Sequence, residues 1–288
     1  MLYALLSSAF YAVQNVSCKE YGKRFSPRIR GLILLVFFSM LVQCAAMALV
    51  GGAQGIGAAP MALAAGFGCV FVATFTCMTA AMAIGPLGMS ALIGNCSMVI
   101  TSCVGIAFWG ERMTWFKGIG TASILLMLVL SGLSSRGGRK GGLKWLTLAL
   151  SSLVGNVLLS VFQHEITASY PQVTAYAFNF WSSAFSALVC LLALCALAVR
   201  GERFGEWLSR GRELALCALG VGVGTAGGNA FAIVVLEHLE AVVAFPLRQG
   251  SLVLIMWAIG RLVYHDEKGR WDALILVSGL LGMVLMNL

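Results

Sequence analysis

Arg248, in EAVVAFPLRQGSLVLIMWAIG, is the only ionisable side chain well inside any long apolar stretch of this chain. An arginine at the centre of a membrane-spanning helix costs about 2.5 to 3.5 kcal/mol on insertion scales, so it is turned toward a cavity or a partner. Two chemistries stay open for it. In one, Arg248 is a fixed positive charge that binds an anionic substrate group such as a carboxylate. In the other it braces a carboxylate at a helix end, Glu165, Glu237 or Glu240, the last lying eight residues away, roughly 12 Å along a helix axis. Pro246 removes the donor that the Val242 carbonyl would otherwise accept from, and kinks the axis. Gly250 adds local freedom, so Pro246 and Gly250 are the hinge candidates, and Gln249 stands beside the charge. A broken helix next to a charge is the pattern from which midplane sites are built.

Uncharged polar residues recur at helical spacing elsewhere. Ser152, Asn156, Ser160 and Gln163 form one stripe. Ser8, Tyr11 and Asn15 form a second, with Gln14 beside it; Tyr176, Asn179 and Ser183 share a face, as do Thr225 and Asn229, and Asn95 and Ser102 lie seven apart. Singly, each reads as an interhelical hydrogen bond worth on average about 0.6 kcal/mol. Together they read as the lining of one wet cavity. The candidate substrate-binding residues are therefore Arg248, Gln249, Asn229, Asn156, Asn95, Asn15, Gln14, Tyr176 and Asn179.

Other patterns carry less. Gly222, Gly224 and Gly227 have GxGxxG spacing, but a dinucleotide fingerprint needs a preceding strand and a crossover unit, and these glycines lie in an apolar run. Gly220, Gly224 and Gly228 read better as a close-packing helix face. His164 and His238 fall at one membrane face and His265 at the other, so the three histidines cannot share a metal, and no cofactor is expected. No nucleophile, base and orienter stand together, so catalysis has no support and the chain is not read as an enzyme. The nine cysteines all fall inside or at the edge of apolar segments without CxxC spacing, which reads as small hydrophobes rather than disulfides.

What positions these residues follows from composition. Of 288 residues, 60% are apolar and only 10% charged, with a mean hydropathy of +0.92. Soluble domains carry about 25% charged residues; the solvent for most of these side chains is lipid, which excludes a soluble enzyme and a nucleic-acid binder. Ten uncharged stretches, 2–18, 31–50, 60–84, 86–109, 118–134, 145–163, 172–199, 214–236, 241–260 and 273–288, are predicted as transmembrane helices of an all-α integral membrane protein. The first basic residue is Lys19, which argues against a cleaved signal peptide. Basic residues cluster after the first, fifth, seventh and ninth spans, 16 in all, whereas the opposite face holds only Arg112 and Lys117. The positive-inside rule then puts both termini outside the cytoplasm, in a protein of the plasma (inner) membrane.

The basic, glycine-rich stretch 136–144 divides the chain into a first five-helix repeat, 1–135, and a second, 145–288. Ser7 and Ser8 precede Ser151 and Ser152 by 144 positions, and Glu111 and Trp115 precede Glu267 and Trp271 by 156. An odd number of helices per repeat forces opposite orientations, the inverted-repeat architecture.

The run GPLGMSALIGNCSMVITSCVGIAFWGERMTWFKGIG, a Pro-led helix ending in a Gly-Glu turn before another glycine-bearing helix, resembles the repeat signature of the EamA-like branch of the drug/metabolite transporter superfamily. EAVVAFPLRQGSLVLIMWAIGRLVYHDEKGRW resembles the same unit, with His265, Asp266 and Glu267 in place of the Gly-Glu turn. The resemblance implies a ten-helix carrier with a central cavity lined by the first, third, fourth, sixth, eighth and ninth helices. Many members end in a basic cytoplasmic tail, whereas this sequence ends VLMNL, and the 16-to-2 charge count governs the expected orientation. The reading is a secondary transporter for a small polar or anionic metabolite, amino-acid-like or not, working by alternating access. Its partners are a small-molecule substrate, a coupling ion or proton, and the lipid bilayer, with no nucleic acid, as a monomer or homodimer. The alternative is a membrane-embedded binding or signalling protein without transport.

Overall fold

The computed structural model describes residues 2–25, 29–84, 93–94, 96–134, 142–202, 204–205, 209–263 and 272–285. Within them the chain forms ten α-helices: α1 (Leu2–Arg24), α2 (Ile29–Leu49), α3 (Ala58–Ile84), α4 (Ser97–Phe108), α5 (Trp115–Ser134), α6 (Leu143–Ser169), α7 (Ala175–Val199), α8 (Gly211–Leu236), α9 (Ala241–Leu262) and α10 (Asp272–Leu285). Each corresponds to one predicted span. Six of them, α2, α3, α6, α7, α8 and α9, are long and apolar enough to cross a membrane. Four charges, Lys19, Glu20, Lys23 and Arg24, end α1, and α4 and α10 have 12 and 14 described residues. The stretch 135–141, which holds most of the expected linker, lies outside the described residues.

Helices form throughout because an apolar segment must satisfy its own backbone, and helix closes every internal N–H on a carbonyl of the same segment. The hydroxyl residues follow the same logic. Ser39, Thr74, Ser182, Thr225, Ser251 and Ser278 each donate to the carbonyl four residues back, which lets them sit on packed faces at little cost. Other hydroxyls bond from helix to helix, among them Ser7 to the Gly228 carbonyl and Ser8 to the Arg248 carbonyl, both at 2.8 Å, and Ser186 to that of Gly68 at 3.2 Å.

The helix pairing has a regular form. α1 packs on α8 and α3 on α6; α2 packs on α8 and α3 on α7; α1 packs on α9 and α4 on α6. Each of these couples turns into the other when five is added to or subtracted from the helix number. α2 with α7, α4 with α9 and α5 with α10 turn into themselves. Close approaches repeat with the pairing: a Cβ on Gly222 of α8 would lie 2.5 Å from the Ser39 carbonyl of α2, and one on Gly68 of α3 would lie 2.8 Å from the Ser182 carbonyl of α7.

One aromatic core, with Phe67, Phe71 and Phe178, joins α2, α3, α6 and α7. A second, with Met98, Ile124, Met127 and Phe245, joins α4, α5 and α9. Outward faces carry exposed Leu126, Leu150, Leu192, Leu216 and Leu280, a surface matched to hydrocarbon rather than water. Cys190 and Cys217 are buried among helices while Cys69, Cys103 and Cys195 lie on those outward faces, and all nine cysteines are free. Arg30 pairs with Glu202, and Arg210 donates to the Arg24 carbonyl, at one end of the bundle, here the basic end. At the other, the acidic end, Trp181 donates to the Gln54 carbonyl and Tyr3 packs on His238.

Candidate functional site

Arg248 sits in the third turn of α9, where that helix meets α1. Its Nη1 donates to Oε1 of Gln163 on α6 at 3.3 Å. Nε2 of Gln163 in turn donates to Oδ1 of Asn229 on α8 at 3.3 Å, and the Tyr11 hydroxyl of α1 donates to that same oxygen. The Tyr11 and Phe245 rings lie 5.6 and 5.4 Å from the guanidinium carbon, within range for a cation against an aromatic face. Four helices thus converge on one polar cluster.

The sequence produces this convergence through small residues. A Cβ on Gly224 would lie 2.6 Å from the Gln14 nitrogen and 2.7 Å from the Phe10 carbonyl; one on Gly228 would lie 2.9 Å from the Tyr11 ring. Only glycine lets α8 come this close to α1, and the approach is what sets Asn229 beside Tyr11. The glycine run is thus a packing face, as its four-residue spacing predicts. Ser7 and Ser8 pin α1 to α8 and α9 at the same level. α9 runs as a helix through Pro246, and Gly250 is buried with its Cβ direction 3.3 Å from Ile124 of α5.

Arg248 makes no ion pair among the described residues. Of the three glutamates at the helix ends, Glu240 pairs with Lys117, Glu165 accepts from Ser169, and Glu237 is exposed. A guanidinium has five N–H donors, and among the described residues the Gln163 amide oxygen engages one of them. Asn229, 3% exposed, has its Nδ2 buried without a hydrogen-bond partner among the described residues. A half-buried cation flanked by aromatic rings, next to a buried unused amide donor, is a setting that favours an oxyanion, because burial of unpaired donors is costly and charge-assisted bonds are the strong ones.

The remaining candidates are spread more widely. Gln14 is buried on α1 and Gln249 half-buried on α9. Asn156 is half-buried, with its Nδ2 3.7 Å from where a Gly94 Cβ would stand. Asn15 is exposed, Tyr176 is 40% exposed at the acidic end, and Asn179 is fully buried in α7 with its Nδ2 on the Ala175 carbonyl. Asn95 lies outside the described residues. The structure therefore brings Arg248 and Asn229 together and adds Tyr11 and Gln163, which the sequence places on polar stripes but not in the binding set. Their stripes carried the signal: each shares a helix face with a residue that touches the cluster or neighbours it. One residue beyond Gln163, His164 lines a separate cavity of about 320 Å³ at the acidic end, with Thr167, Phe178, Ile233 and Glu237.

No curated protein matches the sequence. Among solved structures, one crystal structure of a protein superposes with a TM-score of 0.72 at 15% identity, over 100% of this chain and 97% of its own, which shows the fold alone. The EamA-like transporter family matches residues 1–133, the segment that ends with α5 and contains the first Gly-Glu turn. That match makes the first half of the chain similar to EamA-like transporters, consistent with the drug/metabolite transporter superfamily.

Proposed function

We propose that the protein is a secondary transporter that moves a small polar or anionic metabolite, amino-acid-like in carrying a carboxylate, by alternating access of two inverted five-helix repeats, 1–135 and 145–288. The family points to a membrane transporter of a small molecule rather than to an enzyme. The observation that carries the finer reading is Arg248: a half-buried guanidinium held by Gln163, Tyr11 and Phe245 with no carboxylate paired to it among the described residues. The helix pairing that maps onto itself on adding five supports the repeat reading. The 16-to-2 distribution of basic residues supports a cytoplasmic basic end in the plasma (inner) membrane, with both termini outside. A coupling ion or proton gradient is the driving force this class of fold uses.

The test is reconstitution into liposomes with a radiolabelled panel of carboxylates, amino acids, neutral polar solutes and organic cations, with and without a pH gradient. Saturable uptake of carboxylate-bearing solutes, lost in Arg248→Gln, is expected. Equal flux of the variant, or flux confined to cations, refutes the reading.

A further inference from the structure

The α4–α5 turn crosses from the first half of the chain to the second, and Glu111 is its contact point. The Glu111 carboxylate accepts from the backbone nitrogens of Ala241 at 2.6 Å and Val242 at 2.8 Å. Those are first-turn N–H groups of α9, which have no partner within their own helix. The N-cap residue of α9, Glu240, makes no side-chain cap bond and instead reaches Lys117 of α5. Trp109, two residues before Glu111, stacks on His164 of α6 with ring centroids 3.5 Å apart.

The turn is shaped for this contact. Gly110 has φ +69°, and the Glu111 nitrogen folds back onto the Gly105 carbonyl. A Cβ on Gly105 would lie 2.5 Å from Oε2 of Glu111, so glycine there leaves room for the carboxylate. Thus one turn grips the two helices, α6 and α9, that supply Gln163 and Arg248, and it does so through a few polar and ring contacts that can part without unfolding a helix.

We propose that Glu111 is a positioning residue, whose carboxylate latches the first half onto the N-terminus of α9 and so closes the acidic end over the Arg248 site. This rests on the alternating-access reading above. With the latch engaged, the site is barred from the acidic side; with it released, α9 swings and the site opens there.

The test uses the full chain without its nine native cysteines, carrying Ser160→Cys on the polar face of α6, in membrane vesicles of each orientation. A membrane-impermeant thiol reagent is applied from either side. Glu111→Gln is expected to raise labelling from the acidic side about tenfold, the factor that 1.4 kcal/mol represents, and to lower it from the basic side. Glu111→Asp, which keeps the charge on a shorter arm, should fall between. Labelling that is unchanged, or that rises equally from both sides with a loss of thermal stability, overturns the latch and leaves a fold-supporting cap. Flux in liposomes separates the two proposals. Shifted labelling without flux of any panel solute keeps the latch and refutes transport, whereas flux with unshifted labelling refutes the latch alone.

Discussion

Replacing Arg248 by glutamine separates binding from bracing, because the two roles place the free-energy loss in different measurements. A carboxylate held by two guanidinium N–H bonds gains about 1.5 to 3 kcal/mol from each. At 1.4 kcal/mol per tenfold, losing both should weaken ligand affinity by at least about 100-fold. Folding should change far less. The variant gives up one 3.3 Å bond to Gln163 and two ring contacts, together roughly 2 to 3 kcal/mol. It recovers the roughly 2.5 to 3.5 kcal/mol that an arginine costs within a spanning helix. The two nearly cancel, so the melting temperature should move by no more than about 4 °C.

The assay is ligand-induced thermal shift on Arg248, Arg248→Lys and Arg248→Gln, run beside transport. Lysine keeps the charge but not the planar fork, so it should retain part of the affinity. Bracing makes the opposite forecast: removing the arginine strands a carboxylate, destabilises the protein, and is rescued by changing that glutamate to glutamine. The structure argues against rescue, since Glu240 is paired with Lys117 and Glu165 with Ser169. A large stability loss in Arg248→Gln, restored by Glu165→Gln, Glu237→Gln or Glu240→Gln with ligand affinity intact, would refute the binding role.

Cysteine at Asn15 or Asn156, in a cysteine-free background, should react with a water-soluble thiol reagent; inertness of both in folded protein returns the polar stripes to packing. Gly224→Ala should lower stability by about 1 to 3 kcal/mol, because the new Cβ meets backbone of α1 at 2.6 Å. Gly118→Ala on α5, where nothing lies within 4 Å, should be neutral or stabilising by up to about 1 kcal/mol; equal melting temperatures for the two variants would undo the close-approach argument. A reporter active only in the cytoplasm, fused at Leu288, should stay dark, and a bright signal would reverse the assigned orientation.

The ten helices were legible because lipid leaves a segment of about 20 apolar residues no other way to satisfy its backbone. Arg248 and Asn229 were legible for a related reason: a charge or amide inside such a segment needs a stated partner. Tyr11 and Gln163 were harder to see, since which side of a polar stripe faces the site depends on helix rotation, and glycine contacts at Gly224 and Gly228 set that rotation. The role of Glu111 was not legible at all. Its sequence position marks a turn, but the nitrogens it caps lie 130 and 131 residues away, a pairing that no local pattern encodes. The hydroxyl residues misled in the other direction, reading as links between helices while most of them bond within their own.

The self-mapping helix pairs bear on where a site for both access states must lie. If the halves are related by a two-fold axis in the membrane plane, as proposed, a contact carried onto itself must be crossed by that axis. α2 with α7, α4 with α9 and α5 with α10 are such contacts, so the axis runs through the α4–α9 junction. A group near the axis moves least when the halves exchange conformations, and α9 is the helix that carries Arg248. The position 156 residues before Arg248 is Leu92, although Gly250 has its counterpart in Gly94 at the same offset. In the sequence the glycine thus repeats at this point and the charge does not. Two symmetric arginines at the axis would face each other across a short distance in a low dielectric, at a Coulomb cost on the order of several kcal/mol. On the proposed transport reading, a single one, with the Tyr11 ring of α1 and the amides of α6 and α8 around it, would offer one anion the same partner whichever end of the bundle is open.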